Sequence, residues 1–219
     1  SGGYYDAGDH MKFGLPMAYS MTTLAWGVEE FQEAYQQSGQ LDEALSAIKW
    51  GTDYLLKGIV TDSQGVKEFY GQVGNSTALK DYWVSHENLE NLTVERPAYK
   101  IDREHPGSDL AAETAASLAS ASLVFRSTDA AYADTLLNNA KLLYDFAEQY
   151  QGKYSDAINS EQRKNDRESS GFNDELSWGA AWLHKATGDA NYLSKAEGYY
   201  EKSVGIGNLY TGWTMDWDN

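Results

Sequence analysis

The sequence predicts an all-α fold in which helical hairpins pack as an α/α barrel or toroid. Three observations support this prediction. Apolar residues recur every three or four positions over long stretches, a short polar turn and a second helical stretch follow each of them, and the whole unit occurs three times in 219 residues. A repeat of this kind is typical of helical-repeat architectures.

The first hairpin is predicted at residues 16–37 and 41–57. Pro16 suits the first turn of a helix, and Met17, Met21 and Leu24 follow it at spacings of three and four. A Ser-Gly-Gln break separates the two helices. Two helices joined by so short a turn are expected to pack as an antiparallel pair.

Two further hairpins follow the same pattern. They are predicted at residues 108–125 with 131–150, and at residues 174–186 with 192–202. The turns between them carry Ser, Thr, Asp and Gly, which are the residues that begin and end helices. In each pair the first helix is the more apolar, which indicates inner helices shielded by outer ones.

The connections decide between a barrel and its alternative, an open helical-repeat solenoid. Residues 59–107 and 151–173 are too long for the short turns of a solenoid and are rich in Gly, Asn, Ser, Asp and aromatic residues. They favour loops that build a site, with a short strand predicted at residues 68–73. Three hairpins would fill about half of a ring of the usual six.

Composition excludes several functional classes. The formal charge is 17 − 33 = −16, so phosphate backbones and anionic membranes would be repelled, and we expect neither a nucleic-acid nor a membrane partner. No apolar run approaches 18 residues, which predicts no membrane span. The absence of cysteine removes disulfides, thiolate zinc sites and cysteine nucleophiles together.

The segment before the first helix places two carboxylates three residues apart, at Asp6 and Asp9, beside Tyr4 and Tyr5. Two carboxylates at this spacing can hold one water between them, so that one removes its proton while the other orients it. An Asp-x-Gly-Asp stretch is also a common turn in which the side chains bind backbone N–H groups. Neighbouring aromatic faces favour the first interpretation, because sugars offer C–H faces for stacking.

The sequence resembles glycoside hydrolase family 9 catalytic domains, the cellulases that cut β-1,4-glucans with inversion. The resemblance rests on five motifs spread over the chain. They are SGGYYDAGDHMKFGLPMAYS at residues 1–20, FYGQVG at 69–74, ERP at 95–97, PGSD at 106–109 and DELSWGAAW at 174–182. The resemblance implies that residues 1–219 are part of a single catalytic domain, truncated at both ends relative to the family, and that they form roughly the first half of an (α/α)6 barrel.

The same resemblance implies the catalytic roles. Asp9 would be the general base and Asp6 the second carboxylate that holds the attacking water. The family's general acid is a glutamate near the end of the catalytic domain, outside these 219 residues. The implied function is therefore an inverting endo-β-1,4-glucanase acting on cellulose or related glucans. The alternative is a non-catalytic glucan-binding fragment or divergent homologue that lacks the acid.

A second group of oxygen ligands occurs before the third hairpin. Asp174 and Glu175 follow a Ser-Gly pair, and hard oxygen ligands in a compact loop suit Ca²⁺. Locally the two acids also suit a helix start, where they oppose the helix dipole. The family resemblance implies a structural calcium ion and no organic cofactor. Its implied ligands are Ser170, Gly171, Asp174, Glu175 and Asp218.

Aromatic residues are the candidates for sugar stacking. Tyr5 lies beside the two carboxylates, and the resemblance places Trp83 and Trp217 at stacking positions of the family. Four other tryptophans are predicted to be buried core residues. They are Trp26, Trp50, Trp178 and Trp182.

Residues 83–87 read Trp-Val-Ser-His-Glu where the family has a Gly-Pro-x-Glu pattern after its tryptophan pair, so sugar contacts are expected to differ there. His10 and His86 are each candidates for substrate contact or for a structural hydrogen bond. The acidic surface suits a neutral polymer. We expect a secreted monomer whose partner is a β-1,4-glucan.

Overall fold

The computed structural model describes residues 2–6, 10–75, 82–91, 94–158, 169–205 and 218. It contains the three predicted hairpins. The first consists of α1 (Gly14–Glu30), α2 (Gln32–Gln37) and α3 (Leu41–Lys57). The second consists of α4 (Ser108–Phe125) and α5 (Ala130–Gln149), with the short helix α6 (Tyr154–Ala157) after it, and the third of α7 (Asn173–Thr187) and α8 (Ala190–Gly205).

Helix α4 is the centre of the packing. It contacts α1, α5 and α7, and 17 of its 18 residues are buried. Its many Ala and Ser residues allow neighbouring helices to approach closely. Three of its buried hydroxyl groups, on Thr114, Ser120 and Ser122, bond back to the helix itself; Thr114 Oγ1, for example, donates to the Leu110 carbonyl at 2.8 Å. Helices α1, α4 and α7 therefore form an inner layer, and α3, α5 and α8 pack outside it.

Most helix ends follow their predicted signals. Asp129 caps α5 by accepting a hydrogen bond from the Tyr132 N–H at 3.0 Å, and α7 ends at Gly188, which has a left-handed φ of 71°. The predicted helix at residues 16–37 differs from the structure. It begins two residues earlier and breaks at Phe31, whose φ of −123° and ψ of 30° leave the helical region.

A small antiparallel sheet joins the first two hairpins. It consists of β1 (Lys12–Phe13), β2 (Ile59–Asp62), β3 (Gly65–Val73) and β4 (Ala98–Asp102), and β3 pairs with each of the other three. Phe13 lies opposite Gln72, so the sheet fixes where α1 begins. The predicted strand at residues 68–73 lies within β3, whereas the other strands were not predicted.

The long connection thus returns to the start of the first helix and places its residues beside the N-terminal segment. Within the described residues, no helix is both long enough and apolar enough to cross a membrane.

Gly179 marks a close approach of α7 to α4. A β-carbon on Gly179 would lie 2.9 Å from the Ala112 carbonyl oxygen and 3.1 Å from the Tyr144 ring. Because a carbonyl of the neighbouring helix cannot move by itself, Gly179→Ala is expected to lower the free energy of unfolding by about 1–3 kcal/mol. Thermal unfolding measures the change.

Gly198 of α8 is the matched control for Gly179→Ala. It is exposed, and no described atom lies within 4 Å of a β-carbon built on it. Gly198→Ala is expected to raise the free energy of unfolding by up to about 1 kcal/mol, because alanine favours the helix. Equal effects of the two substitutions would contradict the close packing of α7 on α4.

Candidate active site

The N-terminal segment that carries Asp6 lies against α3. The Trp50 indole Nε1 donates a hydrogen bond to the Gly3 carbonyl at 2.9 Å, and the Tyr4 hydroxyl donates to the Ala47 carbonyl at 2.9 Å. Lys12 Nζ donates to the Gly2 carbonyl. Three successive residues are therefore anchored immediately before the predicted catalytic carboxylates.

Two glycines make this route possible. Gly2 and Gly3 have φ values of 108° and 67°, a region that favours glycine. A β-carbon on Gly3 would lie 2.6 Å from Cγ of Tyr54, whose ring forms the floor under the segment. Burial raises the pKa of the Tyr54 hydroxyl to about 12, so this ring stays neutral across the physiological range.

Hydrogen bonds to the backbone, one from a backbone N–H and one from a side chain, fix the segment on both sides of residues 7–9. The Asp6 N–H donates to the Met11 carbonyl at 3.0 Å, and Arg96 Nη2 donates to the His10 carbonyl at 3.1 Å. Asp9, the predicted general base, lies outside the described residues. Asp6 is half-buried at the edge of the segment.

Tyr5 lies at the centre of an aromatic and cationic cluster. The His86 ring stacks on the Tyr5 ring with centroids 4.2 Å apart, and His10 packs edge-on against His86 at 4.9 Å. Lys12 Nζ lies 4.6 Å and the Arg96 guanidinium 5.4 Å from the centre of the Tyr5 ring. Burial, and then the charge of Arg96, lower the pKa of Lys12.

The segment opens onto a cleft along α1 with a volume of about 400 Å³. Its walls combine aromatic and apolar side chains with one carboxylate. They are Tyr4, Tyr5, Asp6, Phe13, Pro16, Met17, Ser20, Met21 and Leu24. Such a surface offers both C–H contacts and a polar group, which is the chemistry that a sugar ring requires.

The predicted stacking tryptophans have different outcomes. Trp83 is 93% exposed, so its ring is available for a ligand, with the 40% exposed Tyr82 beside it. Trp217 lies outside the described residues.

Trp182 is buried, and Trp26 and Trp178 are half-buried and pack edge-to-face with it. Trp50 was predicted to be a core residue; this is wrong, because it is 53% exposed and its indole binds the N-terminal segment.

The predicted calcium ligands lie around the start of α7. The Ser170 N–H and hydroxyl donate to the Asp218 carboxylate and carbonyl at 3.2 and 3.1 Å. A β-carbon on Gly171 would lie 4.0 Å from Asp174 Oδ1. Both carboxylate oxygens of Glu175 are buried, and neither receives a hydrogen bond from the described residues. The described residues contain no set of three or more His, Cys, Asp or Glu side chains arranged as a metal site.

Carboxylate, hydroxyl and carbonyl oxygens are nevertheless the ligands that a hard cation takes, and a buried carboxylate without donors is either protonated or paired with a cation. Burial, assisted by the nearby Asp174 and Asp109, raises the pKa of Glu175 well above its ordinary value.

Two further carboxyl groups of α4 lie behind this loop. Asp109 accepts hydrogen bonds from Ser169 Oγ at 2.5 Å and from the Tyr154 N–H at 2.8 Å, and thereby holds the residues that precede Ser170. Burial raises the pKa of Asp109 to about 6, although both bonds oppose the shift. Burial also raises the pKa of Glu113 to about 8.

The family model described as glycosyl hydrolase family 9 matches residues 1–219. The chain belongs to this family. The resemblance to this family that the sequence motifs indicate is therefore confirmed. The fold class is confirmed as well, since the chain superimposes on family 9 cellulases, which are (α/α)6 barrels, and supplies part of one.

Similar proteins have endoglucanase names. Endoglucanase A of Bacillus pumilus is 47% identical over 218 residues, which cover 100% of this chain and 30% of that protein. The endoglucanase structure from the termite Nasutitermes takasagoensis is 49% identical with a TM-score of 0.88, over 100% of this chain and 48% of that one.

An endoglucanase from Clostridium thermocellum, complexed with cellotetraose, is 32% identical with a TM-score of 0.81, over 99% of this chain and 34% of that chain. The family 9 chain thus spans between 30% and 48% of the length of these three relatives.

Sequence reasoning did not find the residues that hold the family 9 segment in place. Lys12 and Arg96 lie within family motifs, but nothing in their spacing indicates that they act on Gly2 and His10. The Gly2-Gly3 pair indicates a turn or loop in the sequence, but it does not indicate that Trp50 binds there.

Proposed function

We propose that the protein is an inverting endo-β-1,4-glucanase that hydrolyses cellulose or related β-glucans. The observation that carries the proposal is the anchored Tyr5–Asp6 segment, which opens onto a cleft suited to sugar rings. Family membership and the endoglucanase names of the relatives support it.

The chain supplies the water side of the reaction. Asp9 removes a proton from a water that Asp6 helps to orient, and the water oxygen attacks the anomeric carbon from the face opposite the leaving group. As the glycosidic bond breaks, its oxygen takes a proton from an acid outside these 219 residues, which the family resemblance identifies as a glutamate. A carboxylate pair about 6.5–9.5 Å apart across the bond leaves room for the water.

Three aromatic residues are proposed to bind the glucan. Tyr5 would contact the sugar beside the carboxylates. Trp83 and Trp217, later in the protein sequence, would provide stacking surfaces. The 93% exposure of Trp83 supports its role, because an indole exposed to this extent has a face open to a sugar ring.

We also propose a structural calcium ion bound by Ser170, Gly171, Asp174, Glu175 and Asp218. The buried oxygens of Glu175 support it. When bound, calcium would supply positive charge to the carboxylates and would link the loop before α7 to Asp218.

We further propose that the protein is secreted and monomeric. The proposal is consistent with its acidic composition and with a neutral polymer as substrate.

The function is tested on cellopentaose with the full-length protein. We expect new reducing ends from cellopentaose and none from maltopentaose, whose α-linkages present the opposite face to the water. Binding of cellopentaose without cleavage would instead favour the non-catalytic glucan-binding alternative and contradict the proposal.

A further inference from the structure

Trp50 is largely exposed to solvent and yet makes a long-range hydrogen bond to the backbone. Its side chain is 53% exposed, yet its indole Nε1 makes a 2.9 Å hydrogen bond to the Gly3 carbonyl, 47 residues away in sequence. The large solvent-exposed fraction limits its contribution to the core. The hydrogen bond therefore stands out as its specific contact.

The hydrogen bond from Trp50 to Gly3 is close in sequence to the carboxylate of Asp6. Gly3 precedes Asp6 by three residues, and three residues of chain span at most about 11 Å. The backbone here is already restricted, because Tyr54 lies directly under Gly3 and the Asp6 N–H is fixed to the Met11 carbonyl. A displacement of the Gly3 carbonyl is therefore expected to displace Asp6 as well.

The other anchors of the segment restrict different directions. Tyr4 donates to the Ala47 carbonyl, one turn before Trp50 on α3, and Lys12 holds Gly2 from β1. Only Trp50 among these described anchors holds Gly3, the last glycine with a positive φ before the carboxylates. Without it, none of the described anchors holds the Gly3 carbonyl.

We infer that Trp50 is a positioning residue for the hydrolytic reaction: its indole N–H sets the path of the Gly3 backbone and thereby the placement of the Asp6 carboxylate. The inference rests on the proposed function. It assigns to the outer helix α3 a role in catalysis without contact between Trp50 and the substrate.

A positioning role predicts a defined kinetic signature. Displacement of a reacting group by a fraction of an ångström lowers the rate of the chemical step, whereas substrate contacts elsewhere are retained. Trp50→Phe keeps an aromatic ring and removes the N–H donor. In the full-length protein it is expected to lower kcat for cellopentaose about tenfold, with KM changed less than about twofold.

Trp26→Phe is the matched control. Trp26 also donates its indole N–H, to Glu30 at 3.3 Å, but it belongs to the tryptophan cluster of α1 and α7 and does not contact the segment. It is more buried than Trp50, so Trp26→Phe is expected to lower the Tm at least as much while kcat stays within about twofold.

A double-mutant cycle with Asp6→Asn tests whether Trp50 acts through the carboxylate segment. If it does, the combined variant loses less activity than the product of the two separate losses. Fully multiplicative losses, or a kcat loss in Trp50→Phe no greater than in Trp26→Phe, would overturn the inference. An inactive wild-type protein would instead refute the proposed function, so the two failures are distinguishable.

Discussion

Asp9→Asn is expected to lower kcat on cellopentaose by about 10²–10⁴-fold and to leave KM nearly unchanged. The amide has nearly the same size and shape as the carboxylate, so substrate binding is retained. It cannot accept the proton of the attacking water, so the step that the chain is proposed to supply is lost. Initial rates at saturating substrate measure the effect.

Asp6→Asn is expected to cause a smaller loss, about tenfold or more, because a group that orients the water contributes less than the group that takes its proton. Asp134→Asn is the matched control. Asp134 is on α5, 65% exposed and paired only at the surface with Arg126, so its replacement should keep kcat within about twofold. Full activity of Asp9→Asn would refute the assignment of the base.

Removal of the proposed calcium ion is expected to have the second large effect. A ligand present at about 1,000 times its Kd stabilises the folded protein by about 4 kcal/mol. At about 2 °C per kcal/mol, EDTA is therefore expected to lower the Tm of the full-length protein by about 8 °C, and added Ca²⁺ should restore it. The physical reason is Glu175, whose buried carboxylate has no donor among the described residues.

Glu175→Gln separates this effect from a general action of EDTA. The neutral amide removes the buried charge, so this variant is expected to have nearly the same Tm with and without EDTA. Glu197→Gln changes an exposed residue of α8 and should retain the full response. Identical melting curves of the unmodified protein in Ca²⁺ and in EDTA would contradict the calcium site.

The helical hairpins were predictable because their signals are local. The bounds predicted for residues 41–57 and 108–125 are those of α3 and α4, since turn residues and apolar spacing coincide at both ends. The break at Phe31 was not predictable from the sequence, because this residue fits the apolar spacing of the helix before it. Strands β1, β2 and β4 are two to five residues long and depend on pairing with β3.

The candidate site was predictable in its residue types and less so in its contacts. Asp6, Tyr5 and Trp83 were predicted as site residues from their motif and from the family resemblance; Asp6 and Tyr5 line the cleft, and Trp83 is exposed. The stacking of His86 on Tyr5 joins residues 81 positions apart, and the bond from Trp50 to Gly3 spans 47, so no local pattern encodes them. Trp50 also follows helical spacing, which made a core position the natural prediction.

The measurement that tests the central claim most directly is the configuration of the first sugar released from cellopentaose by the full-length protein, followed by proton NMR before mutarotation. A water activated by Asp9 on the face opposite the leaving group must produce the α-anomer first, with the β-anomer appearing only as the sugar equilibrates. Initial release of the β-anomer would mean that a carboxylate attacks the sugar itself, and it would contradict the role of Asp9 as a general base.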